Sequence, residues 1–256
     1  MKISPIHAFS DNYIWLLQGA QGSAAVVDPG DAAPVIAALH RQGLYLESIL
    51  VTHKHSDHIA GIAALRRAFP EVRVYGPANE PIPELTDRVG EGDTLTIVGT
   101  SLQVLELPGH TEGHLGYLGE GALFCGDLLF LGGCGRVFSG TYRQMTHSLK
   151  RVAELPPATQ IYCAHEYTLD NLGFARWVEP DNPSLVQRTA QVQQQIASSG
   201  RSVPGELALE LESNPFLRTD QTAVIAAAER WAGKRLEGPE ALFTALRTWK
   251  DNEYDQ

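Results

Sequence analysis

Apolar and polar positions along this chain follow two rhythms, and the change between them falls near residue 166. Before that point short β-rich runs dominate. Residues 2–9, 13–17, 24–28 and 48–52 read as strands, bounded by turn signals such as Asp11-Asn12 and Asp28-Pro29-Gly30. Residues 33–41 and 57–69 instead carry the 3.6-residue apolar repeat of helices, the second ending before Pro70. Further strands are predicted at 72–75, 94–98, 102–107, 114–118 and 122–125, then a helix over 142–154 and a last strand over 160–164.

From residue 169 onward the pattern is helical, with segments 169–178, 184–199, 221–231 and 239–250 separated by proline-bearing breaks. Strands and helices mixed first, then helices alone, predict an α/β layered domain followed by a helical extension. The boundary is expected to divide the chain into 1–166 and 167–256.

With 256 residues, 43% hydrophobic, the chain can bury a sizeable core. Its formal charge of −10 argues against a general nucleic-acid surface, which needs a clustered basic footprint. An anionic small substrate would need a local basic pocket. The early apolar stretches 14–17 and 24–27 are far too short to span a bilayer, and the first residues lack the apolar core of a secretion signal. A cytoplasmic protein is the expectation. Cys125, Cys134 and Cys163 form no CxxC pair and read as buried small apolar residues.

The sharpest chemistry lies in Thr52-His53-Lys54-His55-Ser56-Asp57-His58, where a predicted strand ends and a helix begins. Side chains two apart on extended backbone point the same way, so His53, His55 and Asp57 can converge, and the helical turn brings His58 round. Imidazole and carboxylate are the usual ligands of Zn²⁺ and similar ions. His110, Asp127 and His165 each follow a short β-like run, so strand ends would carry them to the same edge. Taken alone, His110 or His165 reads as an ordinary core or surface histidine; beside the cluster they become candidate ligands. His7, His40, His114 and His147 are left outside the site, although His114 could support a ligand by hydrogen bonding.

These residues resemble the metallo-β-lactamase superfamily, whose THxHxDH pattern is matched by Thr52 to His58 and whose later ligands match His110, Asp127 and His165 in order. The resemblance implies a four-layer αββα sandwich holding two divalent metals. His53, His55 and His110 would bind one, Asp57, His58 and His165 the other, with Asp127 bridging. Zinc is the expected occupant, with iron or manganese as alternatives.

Within the superfamily the chain is similar to the glyoxalase II family, the hydroxyacylglutathione hydrolases, over essentially its whole length. Ile6 to Tyr13, Gly133 to Phe138 with Gly140-Thr141, His165-Glu166-Tyr167-Thr168 and Ala245 to Asp251 carry that likeness. It implies that Arg136, Phe138, Tyr167, Arg247 and Lys250 contact the glutathione part of the substrate. Phe138 departs from the tyrosine often found there, which removes a hydroxyl. Glutathione has two carboxylates, so cations placed locally on an acidic protein fit that role. Read without the resemblance, Arg247 and Lys250, three apart on a predicted helix, read first as a solvated helix face.

The implied reaction is cleavage of S-(2-hydroxyacyl)glutathione, typically S-D-lactoylglutathione, to D-lactate and glutathione, the second step of methylglyoxal detoxification. A metal-bound hydroxide would attack a polarised thioester carbonyl, with Asp57 orienting it. Rivals on the same fold are a β-lactamase, a lactonase, a persulfide dioxygenase and a nuclease. The cation-bearing helical tail speaks for glutathione over lactams, acidity against a nuclease, and a complete second ligand set against a one-iron dioxygenase. A non-catalytic metal-binding protein would be marked by a missing ligand, and none is missing. A monomer acting on a small molecule, with no nucleic-acid or membrane partner, is expected.

Overall fold

The computed structural model describes residues 1–255. Its first third builds one six-stranded sheet from β1 (Lys2–Ala8), β2 (Asn12–Gln18), β3 (Ser23–Val27), β4 (Tyr45–Leu50), β5 (Arg73–Pro77) and β6 (Asp87–Val89), in that spatial order. β1 to β3 pair antiparallel and β3 to β6 run parallel. Parallel neighbours need crossovers, and these are α1 (Ala32–Gln42) between β3 and β4, then α2 (Ser56–Ile59) and α3 (Ile62–Ala68) between β4 and β5. β2 lacks polar alternation because both of its faces are covered. Tyr13, Trp15 and Leu17 enter the larger apolar core, whereas Ile14 and Leu16 pack with Val35, Leu39 and Leu65 of the helices.

The second sheet contains β7 (Thr94–Ile97), β8 (Thr100–Glu106), β9 (Leu115–Gly119) and β10 (Ala122–Gly126). After the hairpin of β11 (Leu129–Phe130) and β12 (Gly133–Cys134), β13 (Gln160–Cys163) joins β10 in parallel. Its edge is β14 (Gly205–Glu206), giving the order β14-β13-β10-β9-β8-β7. Polar handles of buried aromatics tie the sheets together: Tyr117 Oη donates to Val51 O at 2.6 Å and Trp15 Nε1 to Cys163 O at 3.0 Å. Met145, Leu149 and Val152 of α4 (Tyr142–Ala153) are buried in the larger core, and Thr141 with Gln144 forms a capping box at that helix's start. Helix, sheet, sheet, helix is the layer order expected from the sequence.

The remaining chain forms α5 (Thr168–Val178), α6 (Pro183–Ser199), α7 (Leu207–Ser213), α8 (Thr222–Ala232) and α9 (Gly238–Trp249), which continues as a π-helical turn over Lys250–Tyr254. β14 pairs antiparallel with β13, so this helical extension also contributes the last strand of the second sheet. No helix among the described residues is long and apolar enough to cross a membrane.

One predicted element differs. The single helix expected over 57–69 is two helices, because Gly61 sits against the β3–α1 turn. Its N–H donates to Pro29 O at 3.0 Å, and a Cβ there would lie 2.5 Å from that oxygen. The close approach frees the short α2 to take its own direction.

Candidate metal centre and adjoining cation cluster

Four strand ends converge on one edge of the sandwich. Beyond β4 the chain stays extended through His53 and His55, whose φ/ψ of −65°/146° makes it the N-cap of α2, and the helical turn then presents Asp57 and His58. The segment after β8 brings His110, β10 leads to Asp127, and β13 to His165. Gly126 makes the third of these possible: its φ is +48°, and a Cβ there would lie 2.4 Å from Thr52 Oγ1.

The seven predicted ligands meet in two groups, His53/His55/His110/Asp127 and Asp57/His58/His165, with the ligand atoms of each group within 4.8 Å of one another. In the first, His55 Nδ1 lies 3.0 Å from His53 Nε2 and 2.9 Å from His110 Nε2. In the second, Asp57 Oδ2 is 3.4 Å from both His58 Nε2 and His165 Nε2. Asp127 faces both, with Oδ2 3.4 Å from His110 Nε2 and Oδ1 3.4 Å from His165 Nε2 and 3.5 Å from His58 Nε2.

This set fits metal ions. A tetrahedral ion with nitrogen ligands at about 2.0–2.1 Å separates neighbouring donors by about 3.3 Å, close to the spacings here. Protons satisfy the set poorly: three imidazole nitrogens converge in the first group, and neither ring nitrogen of His58 nor Asp127 Oδ1 has a hydrogen-bond partner despite burial. The far ring atoms are oriented from behind. His110 Nδ1 donates to Arg136 O at 2.8 Å, which leaves Nε2 bare toward the group. His165 Nδ1 lies 2.7 Å from Asp11 Oδ1, His53 Nδ1 3.0 Å from Thr52 Oγ1, and Asn12 Nδ2 donates to Asp57 Oδ2 at 3.0 Å. Asp28 Oδ1 and Oδ2 accept from Thr52 N and Oγ1, both at 2.7 Å, and Oδ2 lies 3.1 Å from His58 Nδ1 at an angle that makes it a charge contact only.

Without metal, the two groups carry opposite proton loads. Burial holds His53 far below the usual imidazole range, pushes His110 down to about 4 and lowers His55. Burial also opposes charge on His58 and His165, but the carboxylates outweigh it: Asp127 and Asp28 raise His58, while Asp127 and Asp57 push His165 up to about 10. In return Asp127 stays far below the carboxylate range, because His58 and His165 outweigh its burial. The second group therefore uses protons to supply the positive charge an ion would bring.

The groups open into a cavity of ≈ 510 Å³ that also reaches Arg136, Phe138, Tyr167, Arg247 and Lys250. Phe138, 64% exposed, sets its ring edge-on to His55 and His110, each at 5.2 Å, and Tyr167 stacks on His165 at 4.8 Å. Arg247 and Lys250 are 1% and 4% exposed, so they are not a solvated helix face. His114, also buried, accepts from Asp127 N at 3.2 Å and stacks on His53. His40 and His147 lie exposed on α1 and α4, outside both groups.

Sequence reading missed the supports Asp11, Asn12, Asp28 and Thr52. It also missed that Asp170, Asp251 and Asp255 already pair with the three cations. The signals for the first two pairs were visible: Asp11-Asn12 and Asp28-Pro29-Gly30 stood out as turns, and Thr52 as the first residue of the histidine motif.

Comparison with known proteins agrees with this geometry. The profile described as "Metallo-beta-lactamase superfamily" matches residues 9–165, and "Hydroxyacylglutathione hydrolase C-terminus" matches 166–253. Proteins named hydroxyacylglutathione hydrolase from Alkalilimnicola ehrlichii and Nitrosomonas europaea are 52% and 47% identical, each over 98% of this chain and 98% and 96% of their own. Among solved structures, ETHE1 from Myxococcus xanthus superposes with a TM-score of 0.67 at 26% identity over 97% of both chains. TTHA1623 in a di-iron-bound form gives 0.59 at 25% over 84% of this chain and 100% of its own.

Proposed function

Because the chain belongs to the metallo-beta-lactamase superfamily and, within it, to the hydroxyacylglutathione hydrolases, we propose that it hydrolyses S-(2-hydroxyacyl)glutathione, with S-D-lactoylglutathione as the typical substrate, to D-lactate and glutathione. The observation that carries this reading is one cavity lined both by members of two His/Asp ligand groups and by three cations. A glutathione thioester carries a scissile carbonyl and carboxylates in one molecule, and charge-assisted hydrogen bonds to guanidinium and ammonium would hold the latter.

Two divalent ions, when bound, supply Lewis acidity that acidifies water and polarises a carbonyl. His53, His55 and His110 would hold one, Asp57, His58 and His165 the other, and Asp127 would reach both. Zinc suits this donor set; the di-iron form of TTHA1623 supports iron as the alternative, with manganese a third. The chain's own part is orientation. Asn12 fixes Asp57 Oδ2, so that its carboxylate can direct a nucleophile; Asp11 and Arg136 O fix His165 and His110. Phe138 and Tyr167 line the cavity beside these ligands. The leaving thiol has a pKa of about 8.5, so departure as thiolate needs no dedicated acid.

Residues 1–166 form the ligand-bearing unit and 167–256 the glutathione-binding unit in this reading, in a cytoplasmic monomer. The deciding experiment follows loss of the thioester from S-D-lactoylglutathione, beside the same acyl thioester lacking glutathione, with metal quantified. Cleavage of the first alone at about two metals per chain is the expected result. No cleavage by metal-loaded protein would overturn the function.

A further inference from the structure

The cations assigned to substrate are not free. Among the described residues, Arg136, Arg247 and Lys250 meet three carboxylates, Asp170, Asp251 and Asp255, and of these only Asp255 touches all three cations. Its Oδ2 lies 3.2 Å from Arg136 Nη2 and 3.2 Å from Arg247 Nη2, while Oδ1 lies 2.5 Å from Lys250 Nζ. Asp251 pairs with Arg136 and Arg247 and Asp170 with Lys250. The three carboxylates also differ in position: Asp255 and Asp170 line the cavity, whereas Asp251 does not. Asp255 is thus the carboxylate that a ligand entering the cavity meets on all of its cations.

Resting on the glutathione reading above, we propose that Asp255 is an internal competitor for the substrate's glycine carboxylate: it occupies the cation cradle when no ligand is bound and must give it up for glutathione to bind. Among the described residues the cradle pairs three cations with three carboxylates, in a chain of net charge −10. A substrate carboxylate therefore exchanges with a carboxylate already present and does not enter a bare positive pocket. Burial raises the pKa of Asp255, but Lys250 and Arg136 outweigh it, so the side chain is a full anion at neutral pH.

Release needs little movement. The residue before Asp255 is fastened independently, with Tyr254 Oη donating to Asp170 O at 2.9 Å and its ring edge-on to Trp177 at 4.9 Å. Glu253 accepts from Trp231 Nε1 at 2.6 Å. The backbone can stay in place while the Asp255 side chain rotates away. As glutathione leaves, the same side chain can reclaim the cations, which favours product release. Asp255 thereby sets affinity for the carboxylate end of substrate and product while standing apart from the reacting bond.

The test measures the dissociation constants of glutathione and of its glycine amide, by calorimetry on the metal-loaded full chain, for wild type, Asp255→Asn and Asp255→Ser. Removing the competitor should tighten glutathione roughly five- to tenfold and change the amide less than about twofold, because the amide keeps the γ-glutamyl carboxylate but lacks the glycine carboxylate that competes with Asp255. KM for S-D-lactoylglutathione should fall with the glutathione Kd. Glutathione binding that is unchanged or weaker in both variants would overturn the proposal, making Asp255 a support of the cations. Equal tightening of both ligands would overturn it too, as a general field effect. Hydrolysis by wild type reads the function separately: an active enzyme whose variants show no selective tightening sinks the inference alone. A wild type that neither hydrolyses nor binds sinks the function, and the inference then survives only if the variants gain glutathione binding.

Discussion

Asp28→Asn probes how the metal groups are held from behind. Asp28 is 4% exposed and sits at φ +54°, a conformation Asn adopts readily, so the variant changes charge and proton direction with little backbone disturbance. In the native arrangement Thr52 Oγ1 donates to Asp28 Oδ2 at 2.7 Å, so the same hydroxyl oxygen is free to accept from His53 Nδ1 at 3.0 Å. That chain leaves His53 Nε2 as a bare lone pair. Asn keeps an acceptor for Thr52 N but presents NH₂ where Oδ2 stood. The Thr52 hydroxyl must then turn and donate to His53 Nδ1, which drives the imidazole proton to Nε2 and into the first group.

The second group suffers as well, because His58 Nδ1 loses the carboxylate 3.1 Å away. Loss of one outer partner costs a metal site roughly 10- to 100-fold in affinity, so the doubly loaded state should weaken by roughly 10²- to 10⁴-fold. One charge-assisted bond is lost from the metal-free fold, a cost of about 2 kcal/mol. Chelator competition gives the affinities, and kcat/KM at limiting metal should fall in parallel. Two ions bound at wild-type affinity, with kcat/KM within about threefold of wild type, would refute the proton chain.

Arg247→Ala should raise KM for the glutathione thioester and also lower the melting temperature. The guanidinium is 1% exposed and donates to Cys134 O at 3.0 Å, so its removal leaves that buried carbonyl without its donor, takes one cation from Asp251 and Asp255 and opens a buried gap; about 3 kcal/mol is expected. An unchanged KM would count against the substrate pocket, an unchanged melting temperature against the packing role. Metal loading should depend on pH mainly at the second group. His165 is pushed up to about 10, above its unfolded value of about 6.5, so its contribution to metal-free stability is complete below about 6.5 and is lost as pH rises through about 10. An ion must displace that proton, whereas His110, pushed down to about 4, offers a bare nitrogen at neutral pH. Dialysis at pH 6 should therefore leave about one metal per chain and at pH 8.5 about two, with proton release on loading the second; simultaneous loss of both would contradict this.

The layers and the metal residues were legible because each is written locally. β4 and β13 are short apolar runs whose ends carry the ligands, and the histidine motif places four metal-capable groups within one strand-to-helix turn. What was hidden depends on contacts between distant segments. Asp28 and Thr52 are 24 positions apart, and nothing in either neighbourhood shows that β3 and β4 bring them side by side. The break at Gly61 is likewise invisible to periodicity, since the residues on both sides keep a helical pattern and it is the distant backbone of Pro29, Asp31 and Ala32 that forbids a larger side chain. β14, two residues long, has no pattern to detect and exists because β13 offers it an edge. The pairing of Asp255 with Arg136 spans 119 positions, so a charge count could only register their near cancellation.

The helical extension acts on the metal centre through the β11–β12 hairpin. Asn214 Nδ2 donates to Phe130 O at 3.3 Å and Gly133 O at 2.9 Å, Glu210 Oε2 accepts from Gly132 N at 2.8 Å, and Arg247 reaches Cys134 O. All of these partners are buried, where unpaired polar groups are costly, so the hairpin is clamped in one position. Two residues past the hairpin's end, Arg136 O accepts the Nδ1 proton of His110 and thereby aims Nε2 at the first metal group. One run of residues, Phe130 to Arg136, is thus gripped by the extension and in turn orients a ligand of the sandwich. The same run carries Arg136 itself into the cation cradle. A helical extension that merely sat beside the sandwich would require none of these bonds. Their presence makes the placement of the cation cradle relative to the His/Asp groups a property of the folded whole, since the hairpin that positions Arg136 also orients His110.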